Sequence, residues 1–236
     1  AHRSAPVVVA SLEHDRFARQ EPVDHVWADA TADRVQVESL AEFVDGRWLN
    51  EDVSQLRAAA NVDAPLSMIN PYVFAPPIAP HIAAREAGVE LAIEPVLAAC
   101  NGLQNLAETL VVEGAGGFLV PLNDRQDMGD LAVALGLPVI LVVGMRLGCI
   151  NHALLTAEAV RARGLRLCGW VANTIDPAMA QASATLDALA AGLGNAPCLG
   201  LVPRLPAPSP EAVAPYLNVP ALHRLFDSDS ILKETP

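Results

Sequence analysis

Four apolar runs recur along this chain at intervals of about 30 residues, the length of a βαβ unit. They are Leu106–Val112 (LAETLVV), Pro138–Val143 (PVILVV), Leu165–Val171 (LRLCGWV) and Cys198–Val202 (CLGLV). Each is apolar on both faces, as a strand must be when helices cover the sheet on both sides. Helical patterns fill the intervals. Met128–Leu135 is short. Asn151–Arg163 is apolar on one face and is closed by Gly164, a residue that ends helices readily. Asp176–Leu193 is Ala-rich, with Pro177 in its first turn. The expectation is an α/β fold, a parallel β-sheet with helices on both faces, built as a single domain over residues 1–236.

The earlier half is less regular. Glu51–Ala60, His81–Ala87 and Glu94–Asn101 read as helices around an irregular, proline-rich Asn70–Pro80, and Pro6–Leu12 reads as a strand. Glu13–Ala41 follows neither a helical nor a strand period.

Composition removes several classes of function. Apolar residues make up 52% of the 236, enough for a sizeable core, and aromatic residues only 4%, so Ala, Val and Leu fill it. The formal net charge is −12 with arginines scattered, which argues against nucleic acid or an anionic membrane as partner. The longest apolar run, Leu137–Val143, is too short to span a bilayer. Ala1 to Ala10 lacks a basic region followed by an apolar one, so a cytoplasmic protein is expected. Cys100, Cys149, Cys168 and Cys198 show no paired spacing and lie in apolar stretches, as buried, reduced cysteines would.

The chemistry is expected where the strands end, because ligands of an open parallel sheet bind beyond its carboxyl edge. Glu113-Gly114-Ala115-Gly116-Gly117 follows the first run. Its carboxylate can hold Mg²⁺, and its glycines let backbone N–H groups approach anionic oxygens; a glycine turn with one exposed Glu is the plainer alternative. After the second run, Gly148-Cys149-Ile150-Asn151-His152 opens a helix whose N-terminus can accept a carboxylate or phosphate, or in which Asn151 is a simple N-cap. His152 reads as structural. Asn173 and Thr174 follow the third run, where an Asn can read a base edge or close a turn. Pro203-Arg204-Leu205 holds the equivalent place after the fourth.

At these residues a resemblance becomes specific. NPYVFAPPIAPHIAA, LVVEGAGGFLVPL, LPVILVVGMRLGCINHALLTAEAVRARG and LCGWVAN are similar to segments of the dethiobiotin synthetase family, over about Asp45 to Leu222. The resemblance implies a P-loop NTPase-like fold, a homodimer, and ATP and Mg²⁺ as cofactors. It implies 7,8-diaminononanoate and CO₂ as substrates, with a carbamate that ATP phosphorylates before a urea ring closes in biotin synthesis. Carried over, Asp52 and Glu113 would hold Mg²⁺. Gly114, Ala115, Gly116 and Gly117 would line phosphates and substrate. Asn173, Thr174, Pro203, Arg204 and Leu205 would face the adenine, and Glu211 the ribose. Gly148, Cys149, Ile150 and Asn151 would bind the substrate carboxylate across the dimer interface. His81 carries no role.

The chain departs from that family at its front. A P-loop, G-x-x-x-x-G-K-[ST], and a lysine-proline segment are both absent, so no catalytic lysine is identifiable. After Val9 the sequence reads Ala10-Ser11-Leu12-Glu13-His14-Asp15; the first glycine is Gly46 and the single lysine is Lys233. Arg16, Arg19 and Arg34 could supply charge but not a glycine backbone. Two expectations follow: a ligase impaired in ATP turnover, or a non-catalytic homologue that dimerises and binds the diamine or a partner. Residues 1–44 are atypical, disordered or misread, yet of family-like length, as a frameshift over about Ser11 to Glu42 would leave them. Translating the encoding DNA in its other two frames should reveal a P-loop; its absence from both rules the frameshift out.

Overall fold

The computed structural model describes residues 7–11, 41–44, 47–74 and 78–226. They cluster in two compact units. One is formed by residues 7–11, 107–120 and 126–226, the other by 41–44, 47–74, 78–106 and 121–125.

The first unit is built on five parallel strands: β1 (Val7–Ser11), β4 (Val111–Glu113), β5 (Val139–Met145), β6 (Leu167–Thr174) and β7 (Cys198–Val202). Their order across the sheet is β4-β1-β5-β6-β7. β1 therefore lies between two strands that follow each other in sequence. The strand order reverses around it, and that reversal is where open α/β sheets form their ligand crevice.

Helices cover the sheet on both faces. One core gathers Val139, Leu141, Val143 and Met145 of β5 with Trp170 and Ala172 of β6. It packs on Ala132 of α5 (Met128–Leu135), on Ala153, Ala157 and Val160 of α6 (Cys149–Ala162), and on Leu189 and Leu193 at α7 (Ala182–Gly192). On the opposite face Ile140, Cys168 and Leu199 meet Ala221 of α9 (Val219–Phe226), with Leu222 and Leu225 beside it. Trp170, Leu141 and Leu189 are fully buried, each worth roughly 1.5–3 kcal/mol relative to exposure. Two bulges set which residues share a face. Cys168 is an extra residue between the pairs Val139–Leu167 and Ile140–Gly169, and Leu199 is one between Trp170–Cys198 and Val171–Gly200. Each bulge shifts the alternation by one, which brings Leu167 and Trp170 onto the same face.

The second unit holds an antiparallel hairpin, β2 (Ala41–Val44) with β3 (Arg47–Asn50). Four helices accompany it: α1 (Glu51–Ala59), α2 (Leu66–Ile69), α3 (Pro80–Glu86) and α4 (Ile93–Gln104). Asn123 Nδ2 donates to Leu91 O at 2.7 Å, and the Tyr72 hydroxyl accepts from Ala92 N at 3.3 Å. The first unit closes with α8 (Pro210–Val213), a 3-10 turn (Ala214–Tyr216) and α9.

Several boundaries differ from expectation. Of the first apolar run only Val111 and Val112 are strand, continued by Glu113. Among the described residues β4 lies at the edge of the sheet and pairs with Val7–Val9, so no described pairing extends the ladder back to Leu106. The helix expected from Asp176 begins at Ala182. Asp176 instead caps a turn, its carboxylate accepting from Ala178 N at 2.9 Å, a local bond that competes with helix formation. β6 runs on to Thr174, so Asn173 lies within the strand's last turn of alternation and not beyond it. Cys100, Cys149 and Cys168 are buried as expected, and burial raises the Cys168 thiol to about 11, Arg166 opposing. Cys198 is exposed. It starts the edge strand β7, whose burial alternates with solvent, so its apolar sequence context did not make it internal. Of the aperiodic stretch 13–41, residues 13–40, with Arg16, Arg19 and Arg34, lie outside the described residues, and Ala41 opens β2.

A Cβ added at Gly169 would run into the side chain of Leu199, which is itself fully buried. Gly169→Ala should destabilise the protein by about 1–3 kcal/mol, the usual cost of overpacking, read as a lowered urea midpoint at unchanged m-value. An unchanged midpoint would show that Leu199 has room to move.

Candidate functional site

Three of the expected clusters converge because parallel strands end on one edge. Register fixes the relation. Val9 pairs with Glu113 on one side and Ile140 on the other, and β1 continues two residues further, to Ser11 opposite Val142. Glu113 therefore ends β4 beside the exit of β1, at the strand-order reversal. Across β5 and β6, Gly144 pairs with Asn173 and Met145 with Thr174, while Asn173 pairs with Val202 on β7.

The loop after β4 is shaped by its glycines. Gly116 has φ +85°, a conformation that side-chain-bearing residues rarely adopt. A Cβ at Gly114 would lie 3.1 Å from Met128 Cε, so glycine lets the helix α5 approach the loop closely. Val120 N donates to Gly117 O at 3.0 Å, and Met128 N donates to Val120 O at 3.0 Å. Glu113 is exposed, so its carboxylate can meet a hydrated cation without a large desolvation cost.

After β5 the chain turns at Gly148, φ +93°, which is the N-cap of α6. This corrects the alternative of Asn151 as N-cap: helix already begins at Cys149, and Asn151 occupies its first turn. Asn151 and His152 are exposed, Ile150 is half-buried and Cys149 is buried against the core. Leu147 is 94% exposed.

Beyond β6 and β7 the segments are tied together. Arg204 Nη1 donates to Ile175 O at 2.9 Å, and Asp176 N donates to Met145 O at 3.2 Å. Asn173 is exposed and Thr174 half-buried, next to Pro203, Arg204 and Leu205 through the β6–β7 register. Glu211 stands on the first turn of α8. The Ser209 hydroxyl donates to its Oε2 at 2.9 Å while accepting from Ala212 N at 3.2 Å. Bonds from its own backbone N–H and from Ser209 hold the Glu211 carboxyl below its ordinary value.

Asp52 lies on α1, in the second unit, whereas Glu113 and the other expected binding residues belong to the first. His81, on α3, also belongs to the second unit. Among the described residues no cluster of three or more His, Cys, Asp or Glu gathers to hold a metal. The fit to ATP is divided. Asn173 and Pro203–Leu205 stand at the ends of neighbouring strands, and Gly114–Gly117 form the glycine loop after β4. The residues that follow β1 in sequence, Leu12-Glu13-His14-Asp15, offer neither glycine nor lysine to a triphosphate.

Two features escaped the sequence reading. Ser209-Pro210-Glu211 carries the pattern of an N-cap with proline at the first helical position. Asp127 and Asp130 form a reciprocal capping box at α5, spaced as such boxes are.

A family profile described as an AAA domain matches residues 28–212. The chain is 56% identical over 180 residues to the ATP-dependent dethiobiotin synthetase BioD of Aromatoleum aromaticum, a match covering 76% of this chain and 80% of that protein.

In Ser209→Ala the Glu211 carboxyl loses a donor and should titrate higher, back towards its ordinary value, measured by carboxyl ¹³C NMR against pH. Because its pKa is lowered in the folded state, that donor favours folding above the unfolded pKa. The contribution disappears as pH falls through the folded pKa. An unmoved titration would assign the shift to the backbone bond alone.

Proposed function

The chain belongs to the dethiobiotin synthetase family, and from that premise we propose that its strand-end edge is a dethiobiotin synthetase site with a weakened phosphate side. The substrates are 7,8-diaminononanoate and CO₂, and the co-substrate is ATP with Mg²⁺. The observation that carries this reading is the convergence on one sheet edge of Glu113 with its glycine loop, the Gly148 turn into α6, and the Asn173/Pro203–Leu205 pair of strand ends.

Roles follow from chemistry. Glu113 supplies an anionic oxygen for Mg²⁺. Gly114, Ala115, Gly116 and Gly117 present amides to anionic oxygens. Asn173 and Thr174, with Pro203, Arg204 and Leu205, hold the base, and Glu211 the ribose hydroxyls. The α6 N-terminus at Gly148–Asn151 suits the carboxylate tail of the diamine, because unpaired N–H groups and the helix dipole favour an anion there. A homodimer closing over this turn would cover Leu147, whose 94% exposure is unusual for a leucine. The cytoplasm, where ATP is abundant, is the compartment this chemistry requires.

Phosphoryl transfer depends on positioned charge, and no lysine stands within the first 232 residues. Loss of one preorganised donor costs about 10²–10³ in rate, and the loss here comprises several. ATP turnover should therefore be weak. Coupled assays with the diamine and bicarbonate should show ATP hydrolysis at least about 100-fold below that of a P-loop-bearing relative. Normal rates would overturn the reading of an impaired ligase. The missing cations also favour a second reading, a dimer that binds diamine without nucleotide. Titration calorimetry separates the two: binding of both diamine and Mg-ATP supports the ligase, and binding of diamine alone supports the non-catalytic homologue.

A further inference from the structure

Arg163 stands at the C-terminal cap of α6, fifty residues along the chain from Glu113, yet it is linked to the glycine loop by consecutive contacts. Its guanidinium bridges two carboxylates: Nη1 to Asp130 Oδ1 and Nη2 to Asp127 Oδ2, both at 2.6 Å. The remaining oxygen of each carboxylate closes the capping box of α5. Asp127 Oδ1 accepts from Asp130 N, and Asp130 Oδ2 accepts from Asp127 N, both at 2.9 Å. All four carboxylate oxygens are thus engaged. The arrangement is half-buried, with the Arg163 side chain 28% and Asp127 21% exposed. Gly129 between the two acids is buried under the guanidinium; a Cβ there would lie 3.0 Å from Arg163 Cζ. Glycine at 129 therefore gives the arginine its seat.

The next residue of the box reaches the site. Met128, the first residue of α5, donates its N–H to Val120 O and lays its Cε against Gly114, next to Glu113. Val120 in turn packs under Gly116 and bonds Gly117 O. Two aspartates held this close repel each other unless a cation lies between them. Arg163 supplies it in the bidentate geometry that a lysine cannot reproduce.

We propose that Arg163 is a positioning residue for the Glu113–Val120 loop: it sets the first turn of α5, and α5 sets the loop. The inference rests on the assignment of Glu113 to the metal site only for its functional consequence; the mechanical link stands on the contacts themselves. Without Arg163 the paired carboxylates splay, Met128 withdraws its support, and the glycine loop loosens while the core of the sheet does not.

The test is hydrogen–deuterium exchange on wild type, Arg163→Ala and Arg163→Lys, together with titration of Mn²⁺ alone as a probe of the metal site. In Arg163→Ala, amides of residues 114–120 should exchange about 10-fold faster, with β5 and α7 unchanged. Mn²⁺ affinity should fall about 10-fold, the lower end of what lost outer support costs a metal site. Arg163→Lys should recover part of both. Unchanged exchange at 114–120, or acceleration spread evenly over the whole first unit, would overturn the proposal. If Arg163→Ala does not fold, Arg163→Lys decides by the same pattern. Should wild type bind no Mn²⁺, the metal role of Glu113 fails, while the exchange pattern still decides the role of Arg163.

Discussion

The hydrogen-bonding of β1 to neighbours on both sides is the constraint from which the site follows. A strand inside a sheet has no water to satisfy its backbone, so each N–H and C=O must find a partner in β4 or β5. That requirement fixes register, and register fixes where each strand stops. Val9 is held level with Glu113, and β1 runs on to Ser11. At about 3.3 Å per residue the exit of β1 lies roughly 7 Å beyond Glu113 along the strand direction. Glu113 thereby ends β4 level with Val9, two residues before β1 ends. In a P-loop protein the chain after the first strand would supply glycine amides and a lysine; here the sequence supplies Leu12, Glu13, His14 and Asp15.

The same sheet explains why the interior tolerates little change while its edge carries chemistry. Val139, Leu141, Val143 and Ala172 are completely inaccessible, and the small residues Ala153 and Ala157 let α6 lie close upon them. Such packing resists both added and removed volume. At the strand ends, at Asn173, Gly148 and Glu113, the chain meets solvent. Side chains there are positioned by a rigid scaffold without being confined by it, the general basis for placing function on loops at strand ends. The capping box and Arg163 extend this rigidity outward to a loop that glycine would otherwise leave loose.

The parallel sheet could be read in the sequence because β5, β6 and β7 are apolar on both faces and regularly spaced. The run at Leu106 misled for a physical reason: an edge strand needs apolar residues only where it pairs, and β4 pairs over three. Asp176 and Pro177 look like a helix start, yet the aspartate's own turn wins locally. The bulges at Cys168 and Leu199 leave no mark in composition, because either register buries apolar residues; only packing against α9 and α6 decides between them. Cys198 shows the reverse case, an apolar neighbourhood in sequence that is an edge in space. Of the candidate site, the Glu113, Gly148, Asn173 and Pro203 segments could be named because each lies at or just beyond the end of a strand. The support by Arg163 could not, since it joins residues whose proximity arises only when α6 and α5 pack on one face.

Charge then decides how well such a site can serve a triphosphate. Glu113 is exposed and, on the proposed reading, would draw Mg²⁺, with the chain's net charge of −12 favouring the cation further. The same field opposes ATP until the metal neutralises part of its charge. Backbone amides at Gly114–Gly117 and the α6 N-terminus offset some of that repulsion, but they are partial charges, each worth less than a full cation in contact. A carboxylate and amides without a lysine can therefore bind a metal-bound nucleotide more readily than they can stabilise the charge that moves when its phosphate is transferred. On the proposed reading binding and turnover part company at this point, because the carboxylate and amides would act on the ground state and an absent lysine cradle would have acted on the transition state.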